Sequence, residues 1–229
     1  MTFSFKIENI EKLRKITNLL KFLSNEVCFQ VNIRGVILKT NSVDKSVYTE
    51  VNIPTVCLKL KDTEATYTVS VDSDTLHKVI NTLESTYTVS HNVIGSLAFD
   101  NDIHQYNINT IDDDDYVEPD RDKVYQHTSM IVSADVVRGI KSAISVGDTY
   151  TFNNTMTIVS TGPSCDANIV LKLEVEKEVV IGKQLDKFQL NAISKASKLT
   201  EKFNVAMSDC LSIKCVSVSD ECIITLFIA

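Results

Sequence analysis

The spacing of apolar residues predicts a helix followed by short alternating strands. Leu13, Ile16, Leu20 and Leu23 fall at i, i+3, i+7 and i+10, a single helical stripe, while Arg14, Lys15 and Lys21 stay off it. Val27, Phe29 and Val31 then alternate with polar residues, and Gly35-Val36-Ile37-Leu38 begins a second strand after Arg34, so the helix feeds a hairpin. The pattern returns three times. Helices are predicted to open near Asn9, Asp72, Ala134 and Leu190, with starts 63, 62 and 56 residues apart, and strands follow each one. The second stripe is Leu76, Val79, Ile80 and Leu83, with Asp72, Ser73 and Asp74 available as caps. The third is Val137, Ile140 and Ile144, with Ser133 as cap and Gly147 as stop. The fourth, shorter, is Leu190, Ile193 and Leu199. This is a fourfold internal repeat.

Between the helices, Thr66-Tyr67-Thr68-Val69-Ser70-Val71 typifies strands with one buried face. Antiparallel sheets with helices gathered on one side, an α+β arrangement, follow from that alternation. Further strands are predicted at Cys57–Leu60, Ile103–Thr110, Thr128–Val132, Ala167–Val175, Val179–Ile181 and, just before the fourth helix, Lys187–Gln189. In the closing strand, Ile223, Ile224, Leu226, Phe227 and Ile228 all read as core. The pattern breaks at 111–126, where Asp112 to Asp115 and a Glu118-Pro119-Asp120 segment read as a solvated connector. Two similar domains, 1–110 and 127–229, each of two repeats, flank it. Val117, Val124 and Tyr125 are apolar within this polar stretch, either lining a partner groove or pinning the connector to a sheet.

Charge changes the picture. The chain of 229 residues carries a net −7, which by itself argues against nucleic acid. Yet the predicted helical spans hold nine basic and five acidic residues, against 14 basic and 25 acidic elsewhere. Asp72, Asp74 and Asp135 among those five sit in caps or first turns, where they complement the helix dipole. If the repeats stack about one axis, their outward faces add into a continuous positive patch on an acidic body.

Other chemistry is sparse. Six cysteines form no Cys-x-x-Cys pair and read as reduced, buried thiols, and four scattered histidines offer no ligand spacing. The tetrad of aspartates lacks the spacing and glycine of a calcium loop. No phosphate-cradling glycine loop or nucleophile with an evident base is present, so neither an enzyme nor a cofactor is expected. No apolar run approaches the roughly 20 residues of a membrane span, and the start lacks a signal-peptide core. A soluble, intracellular chain is expected.

Several segments resemble, in order, those of the eukaryotic DNA sliding clamps, the proliferating cell nuclear antigen (PCNA) family. They are Asn25-Glu26-Val27-Cys28-Phe29 with Gly35 to Leu38 and the turn Asn41 to Lys45; Val137-Arg138-Gly139-Ile140-Lys141 with Val146-Gly147-Asp148; Ser194-Lys195-Ala196; Val205-Ala206-Met207-Ser208; and Leu226-Phe227-Ile228-Ala229. The resemblance is colinear over essentially the whole chain. It implies the DNA clamp fold and a ring that encircles duplex DNA, acting as processivity factor and tether for DNA polymerase and other replication and repair proteins. A separate loader ATPase would open the ring.

By matched position Arg14, Lys15, Lys21, Lys78, Arg138, Lys141 and Lys195 would meet the DNA, joined by Lys198 through helical spacing. Partner peptides would dock at Asn41, Lys45, Val117, Pro119, Tyr125, Leu211, Phe227, Ile228 and Ala229. Subunits, a homotrimer in this family, would join edge to edge through Ile103, Tyr106 and Ile108 on one strand and Ile169, Leu171 and Leu173 on another. The resemblance places such a chain in the nucleus or in a viral replication compartment. Alternatives are a subunit of a heterotrimeric DNA-damage checkpoint clamp, a monomeric viral-type processivity or transcription factor, and a scaffold with no DNA contact. The chain departs from the family in its short loops near 54–66 and 91–102, and in a second helix with Lys78 as its single base.

Overall fold

A computed structural model describes residues 1–53, 55–84, 86–92, 95–111, 119, 123–171, 182–208, 213–219 and 222–229. The chain divides into two compact units, Met1–Glu118 with Asp220–Ile223, and Pro119–Ser219 with Ile224–Ala229. The expected strands 172–175 and Val179–Ile181, the aspartate tetrad and Cys210 lie outside the described residues.

The first unit runs β1 (Phe3–Ile7), α1 (Ile10–Leu23), β2 (Glu26–Asn32), β3 (Gly35–Asn41), β4 (Val47–Ile53), β5 (Val56–Leu60), β6 (Tyr67–Asp72), α2 (Ser73–Thr82), β7 (Tyr87–Asn92), β8 (Ser96–Asp100) and β9 (Gln105–Ile111). Its strands join in the order β5-β1-β7-β8-β9-β6-β2-β3-β4, with antiparallel pairing. The strand that opens each repeat also pairs into the other repeat. β1 pairs with β7 (Phe5↔Val89), and β6 pairs with β2 (Phe29↔Val69), so each half of the sheet is completed by the other repeat's first strand. A repeat taken alone would expose a sheet edge and the stripe of its helix, which is why the repeats fold in pairs.

The second unit follows the same plan with β10 (Tyr125–Val132), α3 (Ser133–Val146), β11 (Thr149–Asn153), β12 (Thr157–Thr161), β13 (Asp166–Val170), β14 (Gly182–Leu185), α4 (Lys187–Ser197), β15 (Lys202–Ser208), β16 (Ile213–Ser219) and β17 (Cys222–Ile228). Again the opening strands cross over, giving β13-β12-β11-β14 and β10-β15-β16-β17. In each unit the two helices pack against each other and cover strands, the α+β arrangement expected.

The apolar stripes become the cores. Leu13, Ile16, Leu20 and Leu23 are buried in α1, and Leu76, Ile80 and Leu83 in and after α2, around Phe3, Phe5 and Phe99. Full burial of one such side chain stabilises by about 1.5–3 kcal/mol.

Five expectations need correction. In α3 the buried face is Val136, Gly139, Ile140 and Ala143, whereas Val137 and Ile144 are half-buried. Small residues make the close contact there: a side chain at Gly139 would collide with Leu171, and the Ser160 hydroxyl donates to the Ala143 carbonyl at 2.7 Å. Ser133 is the first residue of that helix and not its cap, whereas Gly147 stops it as expected, in an extended conformation (φ −142°) with the Thr161 backbone where a side chain would stand. Lys187–Gln189 is the first turn of α4 and not a strand, because Asp186 and Gln189 form a capping box, with Gln189 N donating to Asp186 Oδ1 at 2.7 Å and Asp186 N to Gln189 Oε1 at 3.1 Å. In β17 the residues alternate, with Ile224, Leu226 and Ile228 buried and Ile223 exposed. Cys28, Cys215 and Cys222 are buried as expected, but Cys57 and Cys165 are exposed.

Candidate nucleic-acid interface

Each helix turns a polar stripe away from its core. In α1 this stripe is Glu11, Lys15, Asn18 and Lys21, spaced by four, three and three residues, all exposed because the intervening positions face the sheet. In α2 it is Lys78 with Thr75, Asn81 and Thr82, and in α3 Arg138, Lys141, Ser142 and Ser145. α4 is buried nearly all round, and what remains is Lys187, Asn191, Lys195 and Lys198. Lys187 was missed in the sequence because its turn read as a strand; the signal that finds it is Asp186-x-x-Gln189. With the observed boundaries the four helices hold nine basic and three acidic residues.

The bases are not equally placed. Arg14 is spent inside the first unit: its guanidinium donates to the carbonyls of Ile80 and Asn81, both at 3.4 Å, and of Leu83, satisfying the end of α2. Its expected DNA contact is thereby reduced to a positioning role between the two helices. Lys15 pairs with Glu11 at 3.0 Å, and Arg138 with Asp135 at 2.8 Å. Asp74 takes Lys78 at 2.6 Å and also Lys21 from the last turn of α1. Hydrogen bonding to Lys21 and then to Lys78 holds the Asp74 carboxyl down at about 2, and the Lys15 hydrogen bond lowers that of Glu11. Lys141 and Lys198 are exposed, and Lys195 is half-buried.

Beside this surface, α1 and α2 share a polar relay. Asn81 Nδ2 lies 3.0 Å from His77 Nε2, His77 Nδ1 lies 2.9 Å from Thr17 Oγ1, and that hydroxyl donates to the Arg14 carbonyl at 3.1 Å. The chain of bonds is complete when His77 is neutral and carries its proton on Nδ1. Burial and the nearby Lys21 both lower its pKa.

The other expected sites are distributed as follows. Within the second unit, Lys214 Nζ stands 5.8 Å from the centroid of the Tyr125 ring and 5.5 Å from that of Phe227, so the cation brackets two half-buried aromatics. Ile228 turns into the core and presents no side chain to a partner, whereas Ala229 and Val124 are exposed and Pro119 half-buried. In the first unit, Asn41 ends β3 and Lys45 occupies a left-handed position (φ 59°) in a turn organised by Asp44, which accepts from the Ser42 and Ser46 hydroxyls. Val117 and Leu211 lie outside the described residues.

Of the expected subunit contacts, Ile103 is exposed in the turn before β9, Tyr106 and Ile169 are half-buried, and Leu173 lies outside the described residues. Ile108 and Leu171 are core residues of their own units, so their side chains are withdrawn from any such contact. Both strands nevertheless offer an edge. Among the described residues, β9 meets β6 only through Thr110 and Ile111, leaving Gln105 to Asn109 open on that side, and β13 ends its sheet with Val170 exposed. Among the described residues no three His, Cys, Asp or Glu side chains gather as metal ligands, and no helix is long and apolar enough to cross a membrane.

No protein-family model matches the sequence, and no curated protein does. Among solved structures, the chain is similar to the crystal structure of proliferating cellular nuclear antigen from Entamoeba histolytica. The TM-score is 0.85 over 100% of this chain and 99% of that one, at 13% sequence identity. The fold is therefore the PCNA-like clamp fold that the colinear segments implied.

Proposed function

We propose that this chain is a sliding clamp: a non-catalytic ring subunit that encircles duplex DNA and tethers a DNA polymerase and other replication or repair proteins. The observation that carries the reading is the outward basic stripe on the helices of both units, in a chain whose remaining surface is acidic. Lysine and arginine on rigid helices can neutralise phosphates without reading bases, which is what a ring that must slide requires. Lys15, Lys21, Lys78, Arg138, Lys141, Lys187, Lys195 and Lys198 are the contacts of this reading.

Self-association would use the open edges of β9 and β13, with Ile103, Tyr106, Ile169 and Val170 at the seam, as a homotrimer. Partner peptides would anchor on the Tyr125 and Phe227 rings of the second unit, and the Asn41–Lys45 turn of the first is a further candidate contact. A loader ATPase would open the ring, in the nucleus or in a viral replication compartment.

The test is charge reversal of Arg138 and Lys141, both exposed and outside the core. Arg138→Glu with Lys141→Glu is expected to abolish duplex binding and stimulation of polymerase processivity, with particle mass unchanged. Wild-type stimulation by this double mutant would refute DNA threading.

A further inference from the structure

In three of the four helices the first turn carries an acid that is bonded to a base of the proposed duplex surface. Glu11 holds Lys15 at 3.0 Å, Asp135 holds Arg138 at 2.8 Å, and Asp74 divides its two oxygens, Oδ2 to Lys78 at 2.6 Å and Oδ1 to Lys21 of the neighbouring helix. α4 has no acid in its first turn, and its stripe of Lys187, Asn191, Lys195 and Lys198 contains none. Spacings of three and four residues set acid and base side by side on the helix surface. All these groups are solvated: Lys78 and Arg138 are 73% and 75% exposed, and Asp74 and Lys21 39% and 42%. In the first turn these acids complement the helix dipole, but the exposed ion pairs they form add little to folding.

For an approaching phosphate they matter more. Each carboxylate presents to its base the same kind of anionic oxygen that the nucleic-acid backbone presents, and it stays beside the phosphate as a like charge once displaced. We propose that Asp74 is an affinity-limiting residue, an internal competitor of DNA phosphates for Lys21 and Lys78. Glu11 and Asp135 act likewise on Lys15 and Arg138. The bases so paired hold phosphate loosely, which keeps the hold weak enough for translocation. The inference rests on the duplex-binding reading above and names the residues that set its strength.

The experiment is fluorescence anisotropy of a labelled 30-base-pair duplex titrated with the full chain between 50 and 200 mM salt. Asp74→Asn keeps the shape and removes the charge. It is expected to bind about three- to tenfold tighter at 50 mM, with a log–log salt slope steeper by about one to two, since one or two more lysines then neutralise phosphate. The gain is expected to vanish when Lys21 and Lys78 are both changed to Gln, which a purely structural effect of Asp74→Asn would not produce. Asp135→Asn, whose pair lies within one helix, is expected to move affinity in the same direction. Unchanged or weaker binding by Asp74→Asn, or a gain that survives loss of both lysines, overturns the proposal while leaving the clamp reading intact. Absence of salt-dependent binding by wild type and variant alike removes the duplex reading and this proposal with it.

Discussion

Neutralising the α4 stripe with Lys187→Gln, Lys195→Gln and Lys198→Gln tests whether its charges grip phosphate. At 1.5 Å per residue and 100° per step, the three lysines span about 16 Å of helix and stay within roughly 80° of its circumference, so they can address one DNA backbone together. The substitutions leave the core and the Asp186–Gln189 capping box untouched, because Leu190, Ile193 and Leu199 face the other way. Gln matches Lys in helix propensity, and losing Lys195 from the last turn removes a favourable dipole interaction of about 0.3–1 kcal/mol. The variant should therefore remain folded, which circular dichroism checks.

If each lysine neutralises one phosphate, the log–log salt slope of duplex affinity falls by about 0.9 per residue, about 2.7 in all. Over a fourfold rise in salt, from 50 to 200 mM, the wild type would then lose about 40 times more affinity than the triple variant. Anisotropy titrations across that range read the slope directly. A difference in slope below about one, with wild type clearly salt-dependent, would refute the claim that α4 contacts the duplex.

Three other outcomes are expected. Because His77 is held below the ordinary histidine range, the folded chain binds fewer protons than the unfolded one just below neutrality, so stability should fall as pH drops from about 7 toward 5. Urea midpoints should show that slope reduced in His77→Gln but not abolished, since burial also lowers the pKa of His91; an unaltered slope would contradict the relay. Asp186→Ala, which removes the capping box, should destabilise the chain by about 1 kcal/mol in chemical denaturation, and a loss below about 0.3 kcal/mol would argue against its geometry. Val170→Asp on the exposed edge of β13 should leave a folded particle of 25.5 kDa in sedimentation where wild type gives about three times that mass, and an unchanged assembly would move the seam elsewhere.

Much of the clamp plan was legible because it is written at short range. The four residues of the α1 stripe are all buried, and Asn9, near which that helix was expected to open, caps it by accepting from Lys12 N at 2.9 Å. Reading failed where small residues do the packing. Gly139 and Ala143 carry little hydrophobic signal, yet their size lets α3 lie close against β12 and β13, which rotates the buried face away from Val137 and Ile144. Ile108 and Leu171, which the resemblance places at a subunit seam, are instead consumed by their own cores.

What the sequence determined by itself, then, was the four repeats, the core stripes of α1 and α4 and the segregation of positive charge onto the helices, because each helix face depends on residues three or four apart and the repeats restate one local pattern. Only the tertiary structure decided which opening strand completes which sheet, that Arg14 closes the end of α2, and that Asp74 reaches Lys21 across 53 residues of chain. Those contacts join groups far apart in sequence, and nothing local distinguishes the partner that packing brings near from the many it leaves distant.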